Sequence, residues 1–187
     1  MQHIGVILVL QCVVDLLQNG NNMNFMLWIT GFSGSGKTTI GKKVYESFAD
    51  QRVALIDGDE IRKIIECFNY DVESRKYVAW TIQRMCQFLL QQNISVICCT
   101  ISLFEEIHEA NSKINSNIIY AFLESDRTIR MQRKPDVYKN SFNLVGDDIA
   151  CSIPKDCIVL KNEAIDDINK NAEELVRRIK CCSPINQ

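Results

Sequence analysis

Met26-Leu27-Trp28-Ile29-Thr30 runs directly into Gly31-Phe32-Ser33-Gly34-Ser35-Gly36-Lys37-Thr38-Thr39. The first part is a short apolar run with strand propensity. The second fits GxxxxGK[ST] at every fixed position from Gly31 to Thr38. Its glycines let the backbone turn so that successive N–H groups face phosphate oxygens, and the helix expected from Thr38 adds positive potential at the same point. Lys37 is expected to reach the β- and γ-phosphates, and the Thr38 hydroxyl to ligate Mg²⁺. The nucleotide-binding set is therefore Gly31, Ser33, Gly34, Ser35, Gly36, Lys37, Thr38 and Thr39. A Gly/Ser-rich turn that merely precedes a helix is the plainer account; strand and helix in the right order argue against it.

Outward from this stretch, short apolar runs alternate with longer helical segments, the pattern of a parallel α/β sheet. Strands are expected at Met26–Thr30, Val53–Ile56, Ile94–Cys99, Ile118–Leu123 and Cys157–Leu160. Ile94 to Cys99 is continuously apolar, as in a strand covered on both faces. Helices are expected from Thr38 to about Asp50, after Asp59 to about Cys67, and over Ser74–Gln92, Leu103–Ser112 and Asp126–Arg133. Phe68 to Glu73 is expected to be a loop, and Lys134 to Asp156 a long irregular lid. The last helix would bury Ile165, Ile168, Ala172, Leu175, Val176 and Ile179 on one face. This gives a P-loop α/β fold with five parallel strands flanked by helices.

The 187 residues carry 21 basic and 23 acidic side chains, a net charge of −2. No global field favours nucleic acid or an anionic membrane, so an anionic ligand must be held by a local cluster. Nine cysteines without a CxxC pair, and two histidines without zinc-ligand spacing, indicate free thiols in a reducing cytosol. Ile4 to Leu17 is largely apolar, but it is too short and too interrupted by Gln11 and Asp15 to span a membrane, and it lacks the flanks of a signal peptide. Residues 1–23 are expected to be an appendage, either a docked helix or an over-called start, before one P-loop domain over 24–187.

A phosphate cradle does not name a reaction. Asn169-Lys170-Asn171-Ala172 lacks the Asp of a guanine-reading motif, and the most apolar strand ends in Cys99-Thr100 rather than in an acid. The acids follow strand two instead, in Asp57-Gly58-Asp59. Carboxylates there suit a small-molecule kinase, holding Mg²⁺ or orienting an acceptor hydroxyl; a turn with an N-cap acid, Asp59 included, is the plainer alternative.

Trp28 to Thr39 resembles the opening of adenylylsulfate kinases nearly residue for residue, and Asp57-Gly58-Asp59-Glu60-Ile61-Arg62 matches that family's Asp-Gly-Asp-x-x-Arg element. Tyr70 to Arg75 and Thr100-Ile101-Ser102-Leu103 resemble later elements, with Leu103 in place of a Pro. The resemblance implies a kinase, usually homodimeric, that moves the γ-phosphoryl of ATP to a hydroxyl of a small anionic nucleotide-like acceptor. It implies that Arg62 and Arg75 hold the acceptor's anionic groups, that Tyr70 stacks on its base, and that Asp59, Ile101 and Ser102 lie at the acceptor site. Asp57 or Asp59 would orient the hydroxyl, with Asp57 also beside Thr38 at the metal. Arg133, in preference to Arg130, would close on the phosphates.

Two departures stand out. Val78 and Trp80 replace an Asn and an Arg that normally follow, and Arg133-Lys134-Pro135-Asp136-Val137-Tyr138 lacks the Asp and the Lys-Gly of the usual lid. The stretch Cys98 to Glu109 is more similar to a related branch that phosphorylates cytidine diphosphoramidate. The departures also motivate a rival reading, a catalytically weak nucleotide-binding module. The two differ in whether Tyr70, Arg62 and Arg75 meet in one pocket facing the cradle.

Overall fold

The computed structural model describes residues 24–114, 117–140 and 143–182, so the appendage expected at 1–23 lies outside the described residues. Its strands are β1 (Met26–Thr30), β2 (Val53–Asp57), β3 (Ser95–Cys99), β4 (Ile118–Glu124) and β5 (Ile158–Lys161). The helices are α1 (Lys37–Glu46), α2 (Gly58–Ile64), α3 (Val72–Gln91), α4 (Glu105–Ile114), α5 (Arg127–Arg133), α6 (Pro135–Asn140) and α7 (Ile165–Cys182). The five strands form one sheet in the order β2-β3-β1-β4-β5, with every neighbouring pair parallel.

Every residue of β1 and β3 is buried, as their continuous apolar sequences require. Strand period divides them between two cores. Leu27, Ile29, Ile97 and Cys99 meet Ile40 and Val44 of α1 and Ala172, Leu175 and Ile179 of α7. Met26, Trp28, Val96 and Cys98 meet Val78, Ala79, Ile82, Cys86 and Leu90 of α3 and Ile107 of α4. The order in which β3 separates β2 from β1 leaves the ends of β1 and β2 facing one crevice, where open α/β sheets bind ligands.

Several expectations shift. Pro135 opens α6 inside the segment expected to be irregular; proline fits a first helical turn because that N–H has no helical partner. Asp71 caps α3 by accepting from the Ser74 amide at 2.9 Å, so the helix starts at Val72 and shortens the expected loop. Leu103 and Phe104 are buried ahead of α4 rather than within it. Ile165 is 84% exposed, because it opens α7 before the helix reaches the sheet. Cys67, Cys86, Cys98, Cys99, Cys151, Cys157 and Cys181 are free thiols, and no described helix is long and apolar enough to cross a membrane.

The close approach of α1 to β3 depends on Gly41, where an added Cβ would run into the Cys99 Sγ. Gly41→Ala is expected to lower stability by about 1–3 kcal/mol, the usual range for overpacking. Adding Cys99→Ala to it should recover part of that loss in urea unfolding. Additive losses would show that the two sites do not press on each other.

Candidate active site

The cradle is set by backbone shape. Gly36 caps α1 with φ 96°, a left-handed conformation, and a Cβ there would collide with the Asn162 side chain. Asn162, buried at the end of β5, donates from Nδ2 to the Ser35 carbonyl at 2.7 Å and so supports the loop from behind. Lys37 Nζ donates to the carbonyls of Gly31 at 2.9 Å and Phe32 at 3.0 Å, arching over the loop that would carry the phosphates. The residue is only half-buried, yet desolvation around its ammonium outweighs the nearby Asp59 carboxylate and lowers its pKa to about 8.

Asp57 ends β2 and caps α2, a role the sequence allowed for Asp59. Its Oδ1 accepts from the amides of Asp59 at 2.9 Å and Glu60 at 3.3 Å, and its Oδ2 accepts from Thr38 Oγ1 at 2.5 Å. Both oxygens of Asp57 are thus engaged. Asp59 is exposed, and among the described residues its carboxylate meets only a loose ion pair, from Lys134 Nζ at 3.5 Å. β3 ends in Cys99 rather than in an acid; burial pushes its thiol up to about 12, and it donates to the Lys37 carbonyl at 3.4 Å. The hydroxyl of Thr38 and the carboxylate of Asp57 are hard oxygen donors side by side, a pairing that fits Mg²⁺.

Farther along the crevice, Tyr70 has two guanidinium groups near its ring, Arg62 at 4.6 Å and Arg75 at 5.2 Å from the ring centre. The Tyr70 ring is half-exposed. Arg62 is anchored by the carbonyls of Cys67 and Asn69, and Arg75 by those of Tyr70 and Asn143. Burial, and then the like charge of Arg62, lower the pKa of Arg75. Among the described residues neither arginine forms an ion pair, so this pair of cations is suited to an anion. Thr100 Oγ1 and Ser102 Oγ share a hydrogen bond at 2.9 Å, and Thr30 Oγ1 donates to the Ile101 carbonyl at 2.7 Å, fixing the segment after β3.

One cavity of ≈ 330 Å³ joins these parts. Ser33, Gly34, Gly36, Lys37, Thr38, Thr39 and Asp57 line it together with Asp59, Arg62, Tyr70, Arg75, Ile101 and Ser102. Gly31 and Ser35 lie behind the cradle and do not line it. Val78 lines it too, whereas Trp80 lines a separate groove with Arg84 and Glu106. Only one of the two acceptor-half departures therefore faces the cavity. Arg133 reaches its edge, but its guanidinium donates to the carbonyls of Asn162 at 2.9 Å and Glu163 at 3.0 Å, tying α5 to the β5–α7 turn.

Three contributors were missed in the sequence. Asn162 had a usable signal, since residues just past a parallel strand border the crevice. Tyr138, read only as part of the lid, donates to the Ser33 carbonyl at 2.8 Å and accepts from Arg130 Nη1 at 2.7 Å, pinning α6 to the cradle. Lys134 had no signal of its own.

The sheet order, the cradle and the crevice define a P-loop kinase fold. The chain matches the adenylylsulphate kinase family over residues 23–150. It is 32% identical over 166 residues to the cytidine diphosphoramidate kinase of Campylobacter jejuni, covering 84% of this chain and 98% of that protein. It is 31% identical over 134 residues to the adenylyl-sulfate kinase of Bacillus velezensis, covering 67% of each. The structure of the Mycobacterium tuberculosis APS kinase in complex with AMPPNP and APS has the same fold, with a TM-score of 0.71 at 18% identity over 83% of this chain and 97% of that one. The chain belongs to the adenylylsulphate kinase family and is an ATP-dependent kinase acting on a nucleotide-like acceptor.

Asp57→Asn is expected to lose about 1–2 kcal/mol of stability, because it weakens a helix cap as well as the bond to Thr38. Asp59→Asn should stay within about 0.5 kcal/mol of wild type in unfolding. Lys37 needs its proton to hold phosphate, so the affinity of the nucleotide-free protein for Mg·AMPPNP should fall about tenfold between pH 7 and pH 9. Calorimetric titration checks this; Lys37→Arg should flatten the dependence, because a guanidinium stays charged throughout.

Proposed function

We propose that the chain transfers the γ-phosphoryl of Mg·ATP to a ribose hydroxyl of cytidine diphosphoramidate or a closely similar cytidine diphosphate derivative. The observation that carries this reading is 32% identity running through 98% of a cytidine diphosphoramidate kinase. Val78 in the cavity supports it, since an apolar side chain stands where the sulfate-activating enzymes have a polar one. The meeting of Tyr70, Arg62 and Arg75 in a cavity shared with Lys37 speaks against a mere binding module.

In this reading the cradle and Lys37 hold the donor phosphates, and Thr38 and Asp57 hold Mg²⁺. When bound, the ion neutralises charge on the β- and γ-phosphate oxygens. Arg62 and Arg75 grip the acceptor's anionic groups while Tyr70 stacks on its base, with Ile101 and Ser102 alongside. Asp59, rather than the fully engaged Asp57, takes the proton of the attacking hydroxyl. Phosphoryl transfer has a loose transition state, so most of the acceleration comes from holding donor and acceptor in line and in a dry crevice. A homodimer and a cytosolic location belong to the same proposal. Ile64, Phe68 and Phe88, exposed on α2, on α3 and between them, offer apolar surface for self-association, and the free thiols suit a reducing compartment.

ADP release from Mg·ATP should be measured with cytidine diphosphoramidate, with adenylylsulphate and with no acceptor. Stimulation by the cytidine compound on the order of a hundredfold over no acceptor is expected, with Asp59→Asn removing most of it. Stimulation by adenylylsulphate alone would assign the chain to sulfate activation. Stimulation by neither would return the binding module to the front.

A further inference from the structure

We infer that Lys134 is the mobile cation of this active site. It rests on Asp59 while the crevice is empty, and it leaves that carboxylate for the transferring phosphoryl when that group's negative charge arrives. The inference rests on the kinase reading above but not on the identity of the acceptor.

The other cations near the cradle are each fixed in place. Lys37 is part of the loop, bonded to the Gly31 and Phe32 carbonyls. Arg133, the lid cation expected from the sequence, is held by two carbonyls of the β5–α7 turn. Arg130 is buried, donates to the Ser125 carbonyl and to Tyr138, and lies over the Phe32 ring at 4.8 Å. Lys134 differs from all three. Its only described partner is Asp59 at 3.5 Å, with the two side chains 49% and 65% exposed, an arrangement that adds little and exchanges readily.

Its position suits movement. Lys134 is the C-cap of α5, immediately before Pro135 opens α6, so its backbone is the joint between two helices. It lines the cavity of the cradle and also the neighbouring one under α6, which includes Tyr70, Arg75 and Asp136. Lys37 feels the charges of both Asp59 and Lys134, which places all three in one electrostatic neighbourhood. A lysine is a compact charge on a flexible stem, suited to following charge that shifts during a reaction.

The chemistry links the two movements. The bond between the γ-phosphorus and the bridging oxygen breaks, and its electron pair leaves with ADP. The acceptor oxygen forms the new bond to phosphorus, and its proton passes to the Asp59 carboxylate. Lys134 exchanges no proton. The pair at 3.5 Å between two exposed side chains is loose enough for the ammonium to leave Asp59 as negative charge gathers on the phosphoryl oxygens.

The test is the binding of Mg·ADP with and without aluminium fluoride, a surrogate for the transferring phosphoryl, followed by a fluorescent ADP analogue. Lys134→Met should bind Mg·ADP as the wild type does but lose on the order of a hundredfold of the fluoride-dependent tightening. Lys134→Arg should keep most of it, and Asp59→Asn, which frees the lysine, should tighten more than wild type. In turnover, Lys134→Met should lower kcat while leaving KM for ATP unchanged. Equal tightening in Lys134→Met, loss of its plain Mg·ADP binding, or a wild type that does not tighten at all would each overturn the inference. No acceptor is present in the binding test, so a wrong acceptor assignment would show only in the ADP-release comparison.

Discussion

The site is organised around the Asp57 carboxylate. One oxygen accepts the first amides of α2 and the other accepts the Thr38 hydroxyl at the start of α1. β2 and β1 are not neighbours, because β3 runs between them, so this bond crosses a strand to join two helix starts. One of those helices carries the cradle and the other presents Asp59 and Arg62. The donor and acceptor halves of the crevice are therefore fixed relative to each other by a single side chain that is also suited to a metal ion.

Electrostatics explains why such a site can sit in a protein of net charge −2. The cations are concentrated locally, and several of them are held by carbonyls rather than by carboxylates: Lys37, Arg62, Arg75 and Arg133. Carbonyls orient a cation without neutralising it, so its charge stays available to an anionic ligand. The lowered pKa values of Lys37 and Arg75 express the same situation, since burial disfavours the charged form until an anion arrives.

Much of this was legible in the sequence where a local rule applied. The run Met26 to Thr30 and the loop to Thr38 specify strand, turn and helix with little help from the rest of the chain, and the strand is found as read. Asp57-Gly58-Asp59 was legible as a pair of acids but not as a division of labour. Which carboxylate is engaged depends on a Thr38 hydroxyl nineteen residues away in the chain. The lid was the least legible part. Arg133 aligns with a family arginine, yet its geometry depends on carbonyls of Asn162 and Glu163 that no local pattern announces. Trp80 illustrates the converse: a departure in sequence that the turn of α3 directs into another groove.

As proposed, the two halves of the crevice form one reaction centre that moves a phosphoryl group from ATP to a nucleotide-like acceptor. Phosphorus NMR of wild-type protein with Mg·ATP and cytidine diphosphoramidate tests this most directly. A new phosphomonoester resonance growing in step with ADP, with no matching inorganic phosphate, is the expected result. The γ-phosphorus emerging only as inorganic phosphate, whether or not the acceptor is present, would contradict the account.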